Sequence, residues 1–488
     1  MTKDCNTHNL KHAVAKGFLW ASMSNVVCQL FSLLFSVFLA RILGPDDYGP
    51  VGMLSIFTAI AISLQDSGFV AAIANRKEVT HKDYNAVFWF NILVSLSIYG
   101  LLYVCAPLIS SFFKQPVPVE LARYSFLGFV VASFGIAPSA YLFRELKVKQ
   151  RSISFMLAIL VSGIVGVVMA LKGFGCWGIA TQSIVYMLVR TAVCWYFTPW
   201  RPNFRFDFSP LRYLFAFSYR LLITNIFQRF NWNVFSLILG RYYYSVDVGN
   251  YTKAAEWFNA GSEIANGMVN AVAQPALAKV VDDNERQKHL FCRMLRFTAF
   301  VSFPLMFGLA LVAKPLVVVV ISKDWLESAG MLQLLAVWGA FMPLQSMFTN
   351  LLISRSRTRA FMWCTIIQGL LALCLLLMVH TKGIEFMLVT YCAFNTLWLF
   401  VWYGFARKYL PIKPSACIGG VVQYALLAFA VIVVTRLLTS FIDNDLALLA
   451  VRVALLAVMY LAIAYIMRSE ELREIINFLF KRKKRLDI

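Results

Sequence analysis

Residues 220–231 read RLLITNIFQRFN, and residues 253–274 read KAAEWFNAGSEIANGMVNAVAQ. Each lies in an apolar run long enough to cross a bilayer, and each carries polar side chains at steps of three or four residues. Arg220, Thr224, Gln228 and Asn231 fall at helical spacing on the first. After Lys253, the residues Glu256, Asn259, Glu263, Asn266, Asn270 and Gln274 form one stripe along the second. A charge at the bilayer centre costs about 2.5–3.5 kcal/mol on insertion scales, so the stripe faces protein or water. Two arrangements satisfy that demand. One is a hydrated central cavity, which the concentration of charges favours. The other is a polar seam in which asparagines join neighbouring helices by hydrogen bonds.

Outward from this stretch the chain is apolar. Of its 488 residues 60% are hydrophobic and 14% charged, where a soluble chain carries about a quarter charged. A spanning helix needs about 20 apolar residues. Runs of that kind predict an all-α polytopic membrane protein of about fourteen helices, from 17–40 through a ninth at 294–321 to 446–467. The first run is too long for a signal-peptide core and is expected to remain as the first span. The ten cysteines include no CxxC pair and mostly sit inside apolar runs, as packing residues with neither a metal set nor a disulfide framework.

The net charge of +21 invites a nucleic-acid reading that its distribution excludes. With an even number of spans, thirty of the lysines and arginines fall on the side of the N-terminus and nine on the other. That asymmetry predicts both termini in the cytoplasm.

An internal repeat appears at a shift of 200 residues. Asn25, Phe35, Ser36, Leu39, Arg41, Asp47 and Gly49 meet Asn225, Phe235, Ser236, Leu239, Arg241, Asp247 and Gly249. A later echo pairs Pro138 and the basic hairpin 144–151 with Pro343 and the basic hairpin 355–359. Two parallel six-helix repeats around a central cavity follow, as lobes 1–200 and 201–409, with substrate expected between them. Two additional helices occupy 410–468. The tail 469–488 carries an apolar face (Leu472, Ile475, Ile476, Leu479) and five consecutive bases at 481–485. It reads either as an interfacial helix on anionic lipid or as a plain topology anchor. Lobe one is nearly uncharged inside, so the cationic wall is expected in lobe two.

The sequence Arg41-Ile-Leu-Gly-Pro-Asp-Asp-Tyr-Gly49 after a first span resembles a loop of bacterial polysaccharide transporters. So do Asp66-Ser-Gly-Phe69, Arg76-Lys-Glu-Val-Thr-His81 followed by Phe88-Trp89, Ala276-Leu-Ala-Lys279 and Lys323-Asp-Trp325. The family is the O-antigen and exopolysaccharide flippases of the multidrug/oligosaccharidyl-lipid/polysaccharide exporter superfamily. The resemblance implies twelve core helices in two lobes, two additional helices, and export of undecaprenyl-diphosphate-linked oligosaccharide.

A flippase working by alternating access fits the residues directly. Arginine forks bind phosphate oxygens bidentately, which makes Arg220, Arg229 and Lys253 the candidates for a diphosphate. Asn225, Gln228, Asn259, Asn266 and Asn270 suit sugar hydroxyls, as paired donors and acceptors. Trp232 and Trp257 are placed to stack on a sugar ring. Three carboxylates, Glu263, Glu256 and Asp66, are candidates to bind a coupling proton or sodium ion. A cation-coupled drug antiporter of the same superfamily is the alternative, although it calls for an acidic cavity. A membrane glycan polymerase or ligase would need a sizeable external loop, and every external loop here is short. No nucleophile–base pair or metal-ligand set is evident, so neither an enzyme nor a cofactor is expected. The expected partners are the lipid-linked glycan, anionic lipid at the tail and other polysaccharide assembly proteins, with no nucleic acid.

Overall fold

Short polar signals between the apolar runs set the helix ends. Pro45, followed by Asp46 and Asp47 in the first turn, opens one helix. Thr80 and Asp83 open the next, with the Thr80 N–H donating to the Asp83 carboxylate at 2.7 Å. Asn444 caps the last by accepting from the N–H groups of Leu446 and Ala447 at 2.9 and 3.1 Å. The computed structural model describes residues 24–66, 73, 79–204, 207, 209–412, 414–474 and 477, apart from the side chains at 65–66, 210, 212–221, 268, 271 and 414–418.

Within that range the helices are α1 (Ser24–Ile42), α2 (Pro45–Asp66), α3 (His81–Phe112), α4 (Val119–Arg144, interrupted at Phe126) and α5 (Val148–Leu171). Next come α6 (Cys176–Phe197), α7 (Ser209–Tyr242), α8 (Ser245–Ala278) and α9 (Asn284–Val320). The series closes with α10 (Lys323–Ser354), α11 (Thr358–Val379), α12 (Ile384–Tyr409), α13 (Pro414–Leu438) and α14 (Asp445–Ile466). No strand occurs among the described residues. Among the described residues, eleven helices are long and apolar enough to cross a membrane. The other three, α6, α7 and α8, have 22, 34 and 34 residues and are long enough, but more polar.

α9 starts at Asn284 rather than near 294. Asp283 caps it by accepting from the Arg286 N–H at 3.0 Å, and its first turns are polar. Hydropathy marks only the apolar centre of such a helix. Cys28, Cys105, Cys194 and Cys374 are free thiols. Cys292 is held in a disulfide, which no paired spacing in the sequence signals.

The chain forms two compact units, Met1–Thr252 and Lys253–Ile488. In the first, α5 and α6 make an antiparallel pair, α6 also packs on α4, and α2 packs on α7. An aromatic cluster of Tyr84, Phe88, Trp195 and Trp200 closes one end, with the two indoles stacked at 5.9 Å. The starts of α2 and α8 cross so closely that two glycines are required. A Cβ on Gly49 would lie 2.1 Å from the Ser245 hydroxyl, and one on Gly249 would lie 1.9 Å from the Pro45 carbonyl oxygen. These contacts are reciprocal under the 200-residue shift, which relates Gly49 to Gly249 and Pro45 to Ser245.

In the second unit α9 is the central helix, and α10, α13 and α14 pack on it. Arg452 on α14 donates to the Leu311 carbonyl at 3.0 Å and to Thr439, in the turn just after α13, at 3.1 Å. Tyr460 donates to the Phe300 carbonyl at 2.9 Å. These bonds tie the two additional helices to the bundle through groups that lipid would not satisfy.

The later repeat is visible in backbone geometry. After α4, Lys147 N–H donates to the Leu142 carbonyl at 2.9 Å and Leu146 to Phe143 at 3.3 Å. After the corresponding helix of the second unit, Arg357 donates to Leu352 at 2.8 Å and Ser356 to Ile353 at 2.9 Å. Both are the six-to-one, five-to-two loop that ends a helix with a left-handed residue, here Leu146 at φ 52° and Ser356 at φ 58°.

Candidate functional site

Asn225, Gln228, Arg229 and Trp232 occupy one face of α7, and with Ile62 and Ser63 of α2 they line a 310 Å³ pocket. The local packing that holds this wall is polar. Ser55 on α2 donates to the Asn233 side-chain oxygen at 3.1 Å, and Asn233 in turn donates to the Arg229 carbonyl at 2.8 Å. The Arg229 side chain is exposed, as is Trp232. The pocket therefore offers one guanidinium fork, two amides, a hydroxyl and an indole face. That set can bind a phosphate oxyanion beside sugar hydroxyls. Among the described residues, none lining it is acidic.

The stripe on α8 is arranged differently. Lys253 is fully buried, with its ammonium 2.8 Å from Glu256 and 5.8 Å from the centre of the Trp325 ring. Ser346 donates to Asn266 and Asn350 donates to Asn270, each at 2.9 Å, so two asparagines of the stripe join α8 to α10. Glu263 is exposed and Asn259 half-buried. The seam and the cavity, alternatives when only spacing is known, describe different parts of the same polar pattern. The side chains of Arg220 and Asp66 lie outside the described residues.

The expectation of a nearly uncharged first lobe does not hold. Arg151 and Arg190 line a further pocket in the first unit, between α4, α5 and α6. Arg190 is a lone charge in an apolar run, and Arg151 reads as part of a basic loop. Hydropathy gives no signal for Arg151, on the apolar α5, but it finds Arg190, since α6 joins α7 and α8 as the helices too polar to pass as ordinary spans. All three carry the groups discussed above.

Membrane helices of this number, enclosing a pocket of amides and a guanidinium, define a multi-pass membrane transporter. The chain belongs to the polysaccharide biosynthesis protein family, which residues 38–330 match. It is 25% identical over 378 residues to the teichuronic acid biosynthesis protein TuaB of Bacillus subtilis (strain 168), covering 76% of this chain and 77% of that protein. It is also 25% identical over 362 residues to the lipopolysaccharide biosynthesis protein WzxC of Escherichia coli (strain K12), covering 72% and 71%. Among solved structures, the lipid II flippase MurJ in an inward closed conformation matches 94% of this chain and 100% of its own, with a TM-score of 0.72 at 16% identity. An inward-facing multidrug resistance MATE family transporter matches 78% and 94%, with a TM-score of 0.61 at 17% identity. The fold is that of the MurJ and MATE transporters.

Proposed function

We propose that this protein is a flippase for undecaprenyl-diphosphate-linked oligosaccharide, moving it from the cytoplasmic to the periplasmic leaflet of the bacterial inner membrane by alternating access. The cargo would serve O-antigen, capsule or exopolysaccharide assembly. The observation that carries this reading is the Arg229 pocket: a cation and amides on a membrane helix, with no acid lining it among the described residues. The family and the names of its relatives support it, and so does the described activity of MurJ toward lipid II. The guanidinium of Arg229 in that wall speaks against a cation-coupled drug antiporter, whose cargo wants negative charge.

In this reading Arg229 grips the diphosphate, Asn225 and Gln228 hold the first sugars, and Trp232 stacks on a ring. Arg220 is a second cation on the same helix. Asn259 is a further amide on α8, while Asn266 and Asn270 hold that helix to α10 and Lys253 and Glu256 form a neutral pair at its start. Glu263, exposed on α8, is the group to take up a coupling proton or sodium ion, with Asp66 the next candidate. Both termini are cytoplasmic, and the basic tail rests on anionic lipid beside other polysaccharide assembly proteins. The protein is a carrier and performs no covalent chemistry.

Proteoliposomes loaded with fluorescent undecaprenyl-diphosphate oligosaccharide test this reading. Wild-type protein is expected to move the label between leaflets and the Arg229→Ala variant to fail while still inserting. Equal rates in the two overturn the assignment of the pocket. No movement by the wild type overturns the flippase.

A further inference from the structure

Leu290, Met294, Phe297 and Val301 follow one another along α9 at steps of four, three and four residues, so they share one apolar face. With Val269 and Val272 of α8 they line a groove of 300 Å³, wholly within the second unit. From Leu290 to Val301 the groove runs about 16 Å along the helix axis. That is the depth of one leaflet, half of a hydrocarbon core about 30 Å thick. Val272, on its α8 side, is exposed.

The end toward the polar first turns of α9 is charged. Arg293 and Glu474 both line it and pair with each other, Glu474 coming from the segment that follows α14. Their side chains are 59% and 46% exposed, and a pair open to water and salt holds weakly. Glu474 therefore gives way readily to a better-anchored anion. The segment that carries it has other ties. Arg296, one turn further along α9, lies 3.6 Å from Glu470 and 3.9 Å from Glu471, and Tyr424 of α13 donates to the buried Glu471 carboxylate. Leu472 is buried as well. Arg293 can exchange its partner while the segment stays in place.

An apolar groove one leaflet deep, with a guanidinium at its polar end, has the shape of a phospholipid: chain inside, phosphate at the surface. One guanidinium matches the single negative charge of a phosphodiester and donates to two of its oxygens. Basic sites between membrane helices select anionic headgroups in this way. A zwitterionic headgroup brings its own cation and gains less from Arg293.

We propose that the α8–α9 groove binds an acyl chain of an anionic phospholipid of the phosphatidylglycerol class, whose phosphate takes Arg293 from Glu474. The groove shares no lining residue with the Arg229 pocket, and the inference does not depend on which cargo is carried.

Full-length protein in detergent micelles, titrated with phosphatidylglycerol, phosphatidylcholine or undecaprenyl phosphate, tests it, with native mass spectrometry counting the lipid retained. The wild type is expected to retain phosphatidylglycerol over phosphatidylcholine. Arg293→Gln should weaken phosphatidylglycerol binding about ten-fold and leave phosphatidylcholine nearly unchanged. Glu474→Gln removes the competing carboxylate and should tighten phosphatidylglycerol binding about three-fold. Opposite signs at the two members of one ion pair are the signature of exchange, whereas a purely structural pair gives a loss at both. Val272→Trp, which narrows the groove, should lower retention of both phospholipids. The unfolding midpoint without added lipid reports whether each variant is folded. Glu474→Gln alters an exposed side chain and stands as a test alone if Arg293→Gln does not fold. Equal retention of the two phospholipids by the wild type overturns the proposal, as does a folded Glu474→Gln variant that binds phosphatidylglycerol no more tightly. Preference for undecaprenyl phosphate over phosphatidylglycerol with the same Arg293 dependence gives the groove to the cargo chain and overturns the phospholipid reading. Oligosaccharide transport by a protein with no such lipid preference leaves the flippase standing without this site. Arg293-dependent phosphatidylglycerol binding in a protein that moves no lipid-linked oligosaccharide does the reverse.

Discussion

On α7, Asn225, Gln228 and Arg229 open into a pocket; on α8, Lys253, Asn266 and Asn270 are engaged by groups of their own unit. Both helices present polar side chains at steps of three and four, and both are too polar to pass as ordinary spans. The difference lies in what stands opposite. Across from Asn266 and Asn270, α10 offers Ser346 and Asn350, themselves four residues apart, so the two faces close like a ladder. Beside Arg229 stand Ile62 and Ser63, which leave its fork available. A polar face predicts that something polar is needed. The partner helix decides whether that something is protein or cargo.

The largest effect belongs to the open face. Arg229→Ala is expected to reduce transport about 100-fold or more, since a charge-assisted bidentate contact to the cargo is lost. Arg229→Lys should restore only part of it, because an ammonium cannot reproduce the fork. Initial rates in proteoliposomes measure both. Full activity of Arg229→Lys would show that charge alone matters there.

Glu263 belongs to α8 but is exposed, so it tests whether the comparison holds residue by residue rather than helix by helix. Glu263→Gln is expected to abolish the dependence of transport on an imposed proton or sodium gradient while leaving downhill exchange measurable. Unchanged gradient dependence would move the coupling role to another carboxylate.

Breaking the buried pair on α8 should act on stability first. Glu256→Ala leaves the Lys253 ammonium, fully buried against Trp325, without its carboxylate. The cost is about 3 kcal/mol, the low end for an interrupted buried pair because Glu256 is 37% exposed and water reaches it. The double variant Lys253→Met with Glu256→Ala should recover most of the loss. Denaturation of the detergent-solubilised protein reads both. A double variant as unstable as the single one would mean that the ammonium is not the source.

How far the sequence carries the reader follows from the same contrast. Apolar runs locate the helices because a bilayer demands about 20 such residues in each. They miss the start of α9, where Asp283 caps a polar extension. Identities at a shift of 200 mark a repeat whose members touch reciprocally at Gly49 and Gly249. Arg229 is legible as a charge in a span. Its neighbour Ser63, brought from α2, is not, because nothing local records which distant helix lies alongside. Arg190 is legible as an anomaly, and its pairing with Arg151 across Phe155 requires the α5–α6 hairpin to be folded.

The smallest effect should come from the ladder. A polar side-chain bond between membrane helices contributes about 0.6 kcal/mol on average and rarely more than about 1.7 kcal/mol. Asn270→Ala with Asn350→Ala removes one rung, and a double-mutant cycle on unfolding isolates its coupling energy. A value of that order, with transport near the wild-type rate, would fix Asn270 as part of a seam. Asn266→Ala with Ser346→Ala examines the other rung and should behave alike. The informative outcome is a disagreement between the two readouts. If the Asn270 cycle shows little coupling while Asn270→Ala alone slows transport several-fold, the exposed side of Asn270 contacts cargo, and α8 resembles α7 more closely than its hydrogen bonds suggest. If stability falls and transport does not, the two helices carry the same spacing for two different ends: α7 to hold what passes, and α8 to hold α10.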